Sequence, residues 1–144
     1  MIDLVTVVWG RDYTRRYIDY CLASHLSPGN LAALKFPREF RYRIYCPLDS
    51  HDEIIASLAF QRIREIGCPI TFHLLNSVEG DRYKVMTRCH LHANLEALRT
   101  GAHISVHQPD VVISRGFFPM IERFSHTDVR AHFFSCLRIS IEHG

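Results

Sequence analysis

The sequence has no run of about eighteen apolar residues, the length that a membrane-spanning helix requires. Its start, Met1 to Leu4, lacks the basic segment followed by an apolar one that marks a signal peptide. Charge of one sign is also scarce: the formal net charge is +2 with neutral histidines, and no dense stripe of lysine and arginine occurs. We therefore expect a cytoplasmic protein that does not span a membrane and does not bind nucleic acid.

Several motifs that would assign a chemistry are missing. The five cysteines include no C-x-x-C pair, and an odd number at wide spacing fits neither a disulfide framework nor a zinc knuckle. The phosphate-binding patterns G-x-x-x-x-G-K-[S/T] and G-x-G-x-x-G are absent. The serine-hydrolase pattern G-x-S-x-G is absent as well. These absences argue against a P-loop kinase, a Rossmann-type dehydrogenase and a serine hydrolase.

What the sequence does contain is a regular alternation of strand-like and helix-like segments. A hydrophobic fraction of 47% and a charged fraction of 22% are typical of one folded domain, here residues 1–144. The alternation predicts an α/β fold with three layers, a mostly parallel twisted sheet between helices on both faces. The predicted strands are 2–8, 40–46, 70–75, 102–106 and 131–135, and the predicted helices are 14–25, 52–66, 83–99 and 117–124.

Polar residues next to these segments predict where the helices begin. Asp12 or Thr14 could cap the first helix, Asp49 or Ser50 the second, and Asp81 the third. The third helix carries a stripe at steps of three and four residues, which we expect to face the core. Its members are Tyr83, Met86, His90, Ala93 and Ala97.

Residues that directly follow the strands are the candidates for a binding site, because ligands of open parallel sheets bind beyond the carboxyl ends of the strands. Trp9 offers a surface for stacking, Gly10 allows close approach, and Asp12, Asp49 and Asp110 offer carboxylates. Capping alone would explain Asp12 and Asp49. Asp110 lies within an apolar extended run, where an unpaired carboxylate is costly, so it suggests a strand end that opens on a cleft.

The histidines do not predict a metal site. His90 and His92 point in different directions on a helix. His103 and His107 would share one face of a strand, but their separation is too long for both to bind one zinc ion directly.

Several segments look familiar when taken together. They are Tyr83 to His90 with Ala93 and Ala97, Pro109 to Phe117, and Leu137 to Ile139. With these segments the chain resembles bacterial glycosyltransferase-like proteins of the nucleotide-diphospho-sugar transferase superfamily over most of its length. The resemblance implies a glycosyltransferase-A-like fold that binds a nucleotide-diphosphate sugar at the carboxyl-terminal edge of the sheet.

The resemblance also implies roles for individual residues. Trp9, Gly10, Asp12 and Asp49 would hold the nucleoside. Asp110 would hold a divalent cation, Mn²⁺ or Mg²⁺, on the diphosphate. Lys84, Arg88 and Arg115 would meet the phosphate charge.

The chain departs from the family pattern in two places. Asp110 is followed by Val111 and not by the second acid of a D-x-D motif, and Arg115 stands where an acid is expected. The acceptor-binding half of the family is not found after this segment, so we expect a truncated transferase. The alternatives are a non-catalytic domain that binds a nucleotide or a partner protein, and a structural domain without a ligand. Surface left open by a missing half would favour a homo-oligomer.

Overall fold

The computed structural model describes residues 1–76, 78 and 80–127. Its strands are β1 (Ile2–Val7), β2 (Phe40–Cys46), β3 (Ile70–Leu74) and β4 (His103–Val106). They form one sheet in the order β3-β2-β1-β4, and every neighbouring pair is parallel. The predicted α/β class and parallel sheet are therefore confirmed, while the predicted strand 131–135 lies outside the described residues.

Helical segments connect the strands. Three follow one another without a break after β1: α1 (Arg11–Arg16), a π-helical stretch (Tyr17–Leu22) and α2 (Ala23–Leu26). No described helix combines the length and the apolar character needed to cross a bilayer. The remaining segments are the 3₁₀ turns Leu31–Ala33 and Pro37–Glu39 and the helices α3 (Leu48–Ala56), α4 (Leu58–Ile66), α5 (Arg82–Thr100) and α6 (Phe117–Ser125).

Ser57 divides the predicted helix 52–66 into α3 and α4. Its backbone is extended, with φ −73° and ψ 144°. Its hydroxyl accepts a hydrogen bond from the backbone N–H of Phe60 at 3.2 Å and so caps α4. The prediction of one continuous helix is therefore wrong, because Ser57 favours a new helix start over continuation.

Helix ends follow local chemistry in some places and not in others. Asp81 caps α5 as predicted, since its side chain accepts from the backbone N–H of Tyr83 at 2.9 Å. The predicted caps Asp12 or Thr14 and Asp49 or Ser50 are wrong, because Gly10 is the N-cap of α1 and Pro47 that of α3. Asp12 and Asp49 both lie inside a first turn. A carboxylate in the first turn still interacts favourably with the helix dipole.

Helices cover both faces of the sheet, and β1 is buried along its whole length. Ile2 and Leu4 point into the larger core, which α3, α4 and α6 complete. Val5 and Val7 point to the opposite face and pack with Cys89 and Ala93 of α5. A strand buried on both faces must be apolar at almost every position, which explains the unbroken run at the start of the chain.

The face of α5 that meets the sheet differs from the predicted stripe. Cys89, Ala93 and Ala97 are its buried residues, whereas Tyr83 is 69% exposed and His90 is only half-buried. The two sets share Ala93 and Ala97, and Met86 of the predicted stripe also packs against this core. The prediction is wrong at Tyr83, and Cys89 is buried where His90 was expected. Small residues lead the packing because they let α5 approach the sheet closely.

One buried charge lies under α5. Asp3 is fully buried, and Arg41 donates to it twice, at 2.8 and 2.9 Å. The Nε atom of Arg43 lies 2.7 Å from the second carboxylate oxygen. Two arginines thus neutralise a carboxylate at a buried position of β1, where an apolar side chain would be expected.

The segment after β4 crosses the larger core face and joins α2 to α6. The backbone N–H of Ile113 donates to the Ser24 hydroxyl at 3.1 Å, and that of Phe117 to the side-chain oxygen of Asn30 at 3.2 Å. These bonds satisfy backbone groups of a segment that has no strand pairing in the described structure.

Candidate functional site

The strand order creates one reversal point at the carboxyl-terminal edge of the sheet. From β1 the chain adds β2 and β3 on one side, then returns to place β4 on the other side of β1. The chain after β1 and the chain after β4 both lead to the larger core face, where Tyr17 and Leu22 belong to the same cluster as Ile113 and Phe118. The loop after β1 lies next to the loop after β4 there, and the loop after β2 follows on the other side of β1.

The loop after β1 has the properties of a ligand-facing turn. Trp9 is half-buried against the core under α5. Gly10 adopts φ +78°, which disfavours a side chain, and a Cβ atom added there would have no heavy atom within 4 Å. The backbone is therefore open to a close approach beside an aromatic ring.

The first turn of α3, which follows β2, is tied to α1, which follows β1, by a pair of hydroxyls. Thr14 donates to the Ser50 hydroxyl at 2.9 Å, and this contact is buried. Next to it, one carboxylate oxygen of Asp49 accepts from the backbone N–H of Ser50 at 2.8 Å. Asp49 is exposed and its other oxygen remains available. Asp12 is likewise exposed, in the first turn of α1.

Asp110 lies on the other side of β1, in the loop after β4. The backbone N–H of His107 donates to the carbonyl of Val5 at 2.8 Å, which anchors the start of this loop to β1. Burial, and then the negative charge of Asp110, raise the pKa of the Cys21 thiol, so the carboxylate stands near the π-helical stretch. Asp110 is exposed, and its carboxylate has no hydrogen bond or ion pair to any other described residue.

The three basic candidates do not gather around these loops. Arg115 lies across Gly29, where its Cγ and Nε atoms come within 2.8 and 2.9 Å of the position of an added Cβ atom. Gly29 belongs to the loop that leads towards β2, so this contact draws Arg115 away from the loops that follow the strands. Lys84 and Arg88 are exposed on α5, and the Nζ atom of Lys84 is 4.0 Å from Asp81.

No family model, no curated protein and no solved structure matches this chain. The likeness to glycosyltransferase-like proteins stays a prediction from the sequence segments that suggested it. Inference about function therefore depends mainly on the geometry at the carboxyl-terminal edge of the sheet.

Sequence reasoning missed a buried polar cluster beneath the edge. His25 Nδ1 lies 2.8 Å from the Tyr42 hydroxyl, and its Nε2 lies 3.5 Å from the Cys21 sulfur. His107 Nε2 lies 2.9 Å from the Ser105 hydroxyl, and the two imidazole rings are 5.1 Å apart. The only signal in the sequence is the spacing of Ser105 and His107, which places both on one strand face.

Burial decides the charge of this cluster. It lowers the pKa of His107 to about 4. Burial, and then the neighbouring His107, lower the pKa of His25 well below its usual value. Both imidazoles are therefore neutral at pH 7 and offer no positive charge to a phosphate above them.

No group of three or more histidine, cysteine, aspartate or glutamate side chains in the described part of the chain is arranged to hold a metal ion. A divalent cation at Asp110 would need further oxygen ligands from a diphosphate and from water. Mg²⁺ is often held in this way, by one or two carboxylates and substrate phosphates. Asp110 fits such a shared site and does not form a metal site alone.

Proposed function

We propose that this chain binds a nucleoside diphosphate, carried as a nucleotide-diphosphate sugar, at the carboxyl-terminal edge of its sheet. The observation that carries the proposal is the parallel strand order β3-β2-β1-β4. It supports a site in which Trp9 and Gly10 lie between Asp49 on one side and Asp110 on the other. In the proposed arrangement the nucleoside occupies the β1 and β2 loops and the diphosphate extends towards β4.

Each part of the ligand has a chemical counterpart at this edge. The Trp9 ring is a surface on which a base can stack. Carboxylates of Asp49 and Asp12 can accept hydrogen bonds from ribose hydroxyls. The open backbone at Gly10 admits the sugar-phosphate without steric conflict. Stacking with carboxylate acceptors favours a nucleoside over an inorganic anion, which carboxylates repel.

The diphosphate charge can be met in two ways. Asp110 would hold Mn²⁺ or Mg²⁺ between itself and the phosphates, and this cation would supply charge neutralisation for a diphosphate leaving group. Alternatively, Arg115, Lys84 or Arg88 would contact the phosphates directly. Direct contact by Arg115 requires its side chain to leave Gly29, so the carboxylate arrangement needs less rearrangement.

A second function is favoured by one specific observation. No group of three or more histidine, cysteine, aspartate or glutamate side chains in the described residues is arranged to hold a metal ion, and Asp110 is followed by Val111 and Val112 and not by a second acid. A non-catalytic domain that binds a nucleotide or a protein partner would need neither. Binding and sugar transfer are therefore separate claims, and the second depends on the first.

The test is a thermal-unfolding screen with uridine, guanosine, cytidine and thymidine diphosphates, with and without Mn²⁺. A ligand at a hundredfold excess over Kd stabilises the fold by about 2.7 kcal/mol. Asp110→Asn should remove the Mn²⁺-dependent part of that gain. Arg115→Ala should reduce the gain instead if arginine replaces the metal.

The matched control is Asp19→Asn, which removes an exposed carboxylate from the π-helical stretch. We expect it to leave nucleotide stabilisation unchanged. If none of the four diphosphates shifts the wild-type melting temperature at millimolar concentration, the nucleotide proposal is wrong. Release of sugar from a bound nucleotide-sugar, measured separately, distinguishes a transferase from a binding domain.

A further inference from the structure

Strand β3 forms one edge of the sheet. It pairs with β2 on one side, and on the other side no strand of the described chain pairs with it. Tyr42 N–H donates to the carbonyl of Pro69, and Leu75 N–H donates to the carbonyl of Cys46. Because successive residues of a strand direct their backbone groups to opposite sides, the odd-numbered residues of β3 bond to β2. The N–H and C=O groups of Ile70, Phe72 and Leu74 therefore point away from the sheet.

This edge lacks the usual protection against pairing. Natural edge strands carry lysines, prolines, bulges or inward charges that block another strand. β3 reads Ile-Thr-Phe-His-Leu, without a lysine, an acid or a proline inside it, and its pairing with β2 continues in register along all five residues. Among the described residues, no strand pairs with its outward backbone groups.

Exposed apolar surface lies beside the same edge. Leu74, the last residue of β3, is 53% exposed. Between α4 and β3 runs a groove of about 480 Å³. Its lining includes Ile55, Phe60, Arg64, Cys68, Ile70 and Phe72. Open backbone groups next to open apolar groups are the two components of a strand-addition interface.

We propose that the partner is a second copy of this chain, and that two β3 strands pair antiparallel about a two-fold axis at Phe72. Two four-stranded sheets would then join into one sheet of eight strands. An isologous contact of this kind requires a surface that is complementary to itself. The sequence of β3 meets that requirement.

The register shows why a copy of β3 fits. With Phe72 opposite Phe72 of the partner subunit, Ile70 lies opposite Leu74 of the partner subunit. By symmetry, Leu74 lies opposite Ile70 of the partner subunit. These are the residues whose backbone groups point outward, and directly opposed residues of that kind exchange both hydrogen bonds in an antiparallel pair. Each outward N–H and C=O of β3 therefore receives a partner.

Side chains agree with the same register. The three outward-bonded residues share the face that α4 covers, so isoleucine meets leucine and phenylalanine meets phenylalanine there. On the other face Thr71 stands opposite His73 of the partner subunit. A shift by one residue would place apolar side chains opposite polar ones, so the register is specified.

Another apolar surface competes with this one. Leu91, Leu95 and Leu98 are exposed on α5 on the opposite side of the sheet. Their spacing of four and three residues forms a short stripe, but this surface has no open backbone groups to satisfy. Leu98, at 80% exposure, therefore provides a matched control.

The experiment compares the mass in solution of the wild type, Leu74→Lys and Leu98→Lys by light scattering after size exclusion. We expect wild type and Leu98→Lys at twice the chain mass of 16.7 kDa. Leu74→Lys should weaken dimerisation more than about tenfold, because it places a charge against the apolar Ile70 of the partner subunit. Both exposed substitutions should keep the circular dichroism of the fold. A wild-type monomer at high concentration, or equal dimerisation of the two variants, overturns the proposal.

A second measurement on the wild type does not depend on any variant. Amide exchange resolved by residue should show concentration-dependent protection at Ile70, Phe72 and Leu74. Thr71 and His73, which bond to β2, should be protected at every concentration. Protection that appears instead along α5 would assign the dimer to the leucine stripe and refute the β3 interface.

Discussion

The buried imidazole of His107 predicts how the stability of this protein depends on pH. His107 is 4% exposed, and burial lowers its pKa from the ordinary 6.5 to about 4. Below pH 6.5 this imidazole is therefore protonated in the unfolded chain, whereas in the folded chain it becomes protonated only near pH 4. Stability contributed by the neutral ring is complete above pH 6.5 and is lost as the pH falls through that window.

The magnitude follows from the size of the shift. A depression from 6.5 to about 4 corresponds to about 3 kcal/mol over the whole window. The slope is about 1.4 kcal/mol per pH unit for each such histidine. The pKa of His25 is lowered well below its ordinary value for the same reason, so its contribution has the same sign. Between pH 6.5 and 5 His107 alone should cost about 2 kcal/mol, and His107→Leu should remove that part of the loss.

Urea unfolding followed by circular dichroism, at pH values from 7.5 to 5, measures this loss directly. At pH 7.5 the variant should be less stable by about 1 kcal/mol, because the Ser105 hydroxyl loses a hydrogen-bond partner. The matched control is His103→Leu, an exposed position at the start of β4, which should keep the wild-type pH dependence. Equal losses in His107→Leu and the wild type between pH 6.5 and 5 would refute the reasoning.

Two further predictions concern a buried ion pair and a helix end. Asp3→Asn should destabilise the fold by about 3–5 kcal/mol in urea unfolding, because it leaves two arginines at a buried site without their carboxylate. The control is Arg62→Ala, which breaks an exposed pair with Glu65 at 2.9 Å and should cost under about 1 kcal/mol. Similar losses in both variants would contradict the assignment. Gly67→Ala should lower the free energy of unfolding by about 1–2 kcal/mol, because φ is +92° at this end of α4. The space around Gly67 is open, so the loss would come from the backbone conformation alone. An unchanged unfolding midpoint would show that the turn relaxes.

The strands and their direction were predictable because the signal is local. An apolar run such as 2–8 needs burial on both faces, and helices between successive runs require parallel crossovers. Since parallel strands end at one edge, the same reasoning places Trp9, Asp49 and Asp110 at that edge. The strand order, which brings the β1 and β4 loops together, is a tertiary property and came only from the structure.

Other features depended on contacts between distant residues. Burial of α5 at Cys89, Ala93 and Ala97 is set by packing against the sheet, which a stripe in the sequence does not show. The position of Arg115 is set by Gly29, 86 residues earlier in the sequence. His25 belongs to α2, whereas His107 directly follows β4. The alternation pattern of one strand cannot show which helix packs against that strand.

The central position of β1 has a consequence for synthesis of the chain. β2 is available to pair with β1 early, but β4 follows about 60 residues later, which takes about 3–12 s at a translation rate of about 5–20 residues per second. During that interval one side of the most apolar strand has no hydrogen-bond partner. Aggregation of nascent chains should therefore depend on how quickly residues 103–106 are synthesised. Ribosomal pausing before these residues should increase aggregation more than pausing after them.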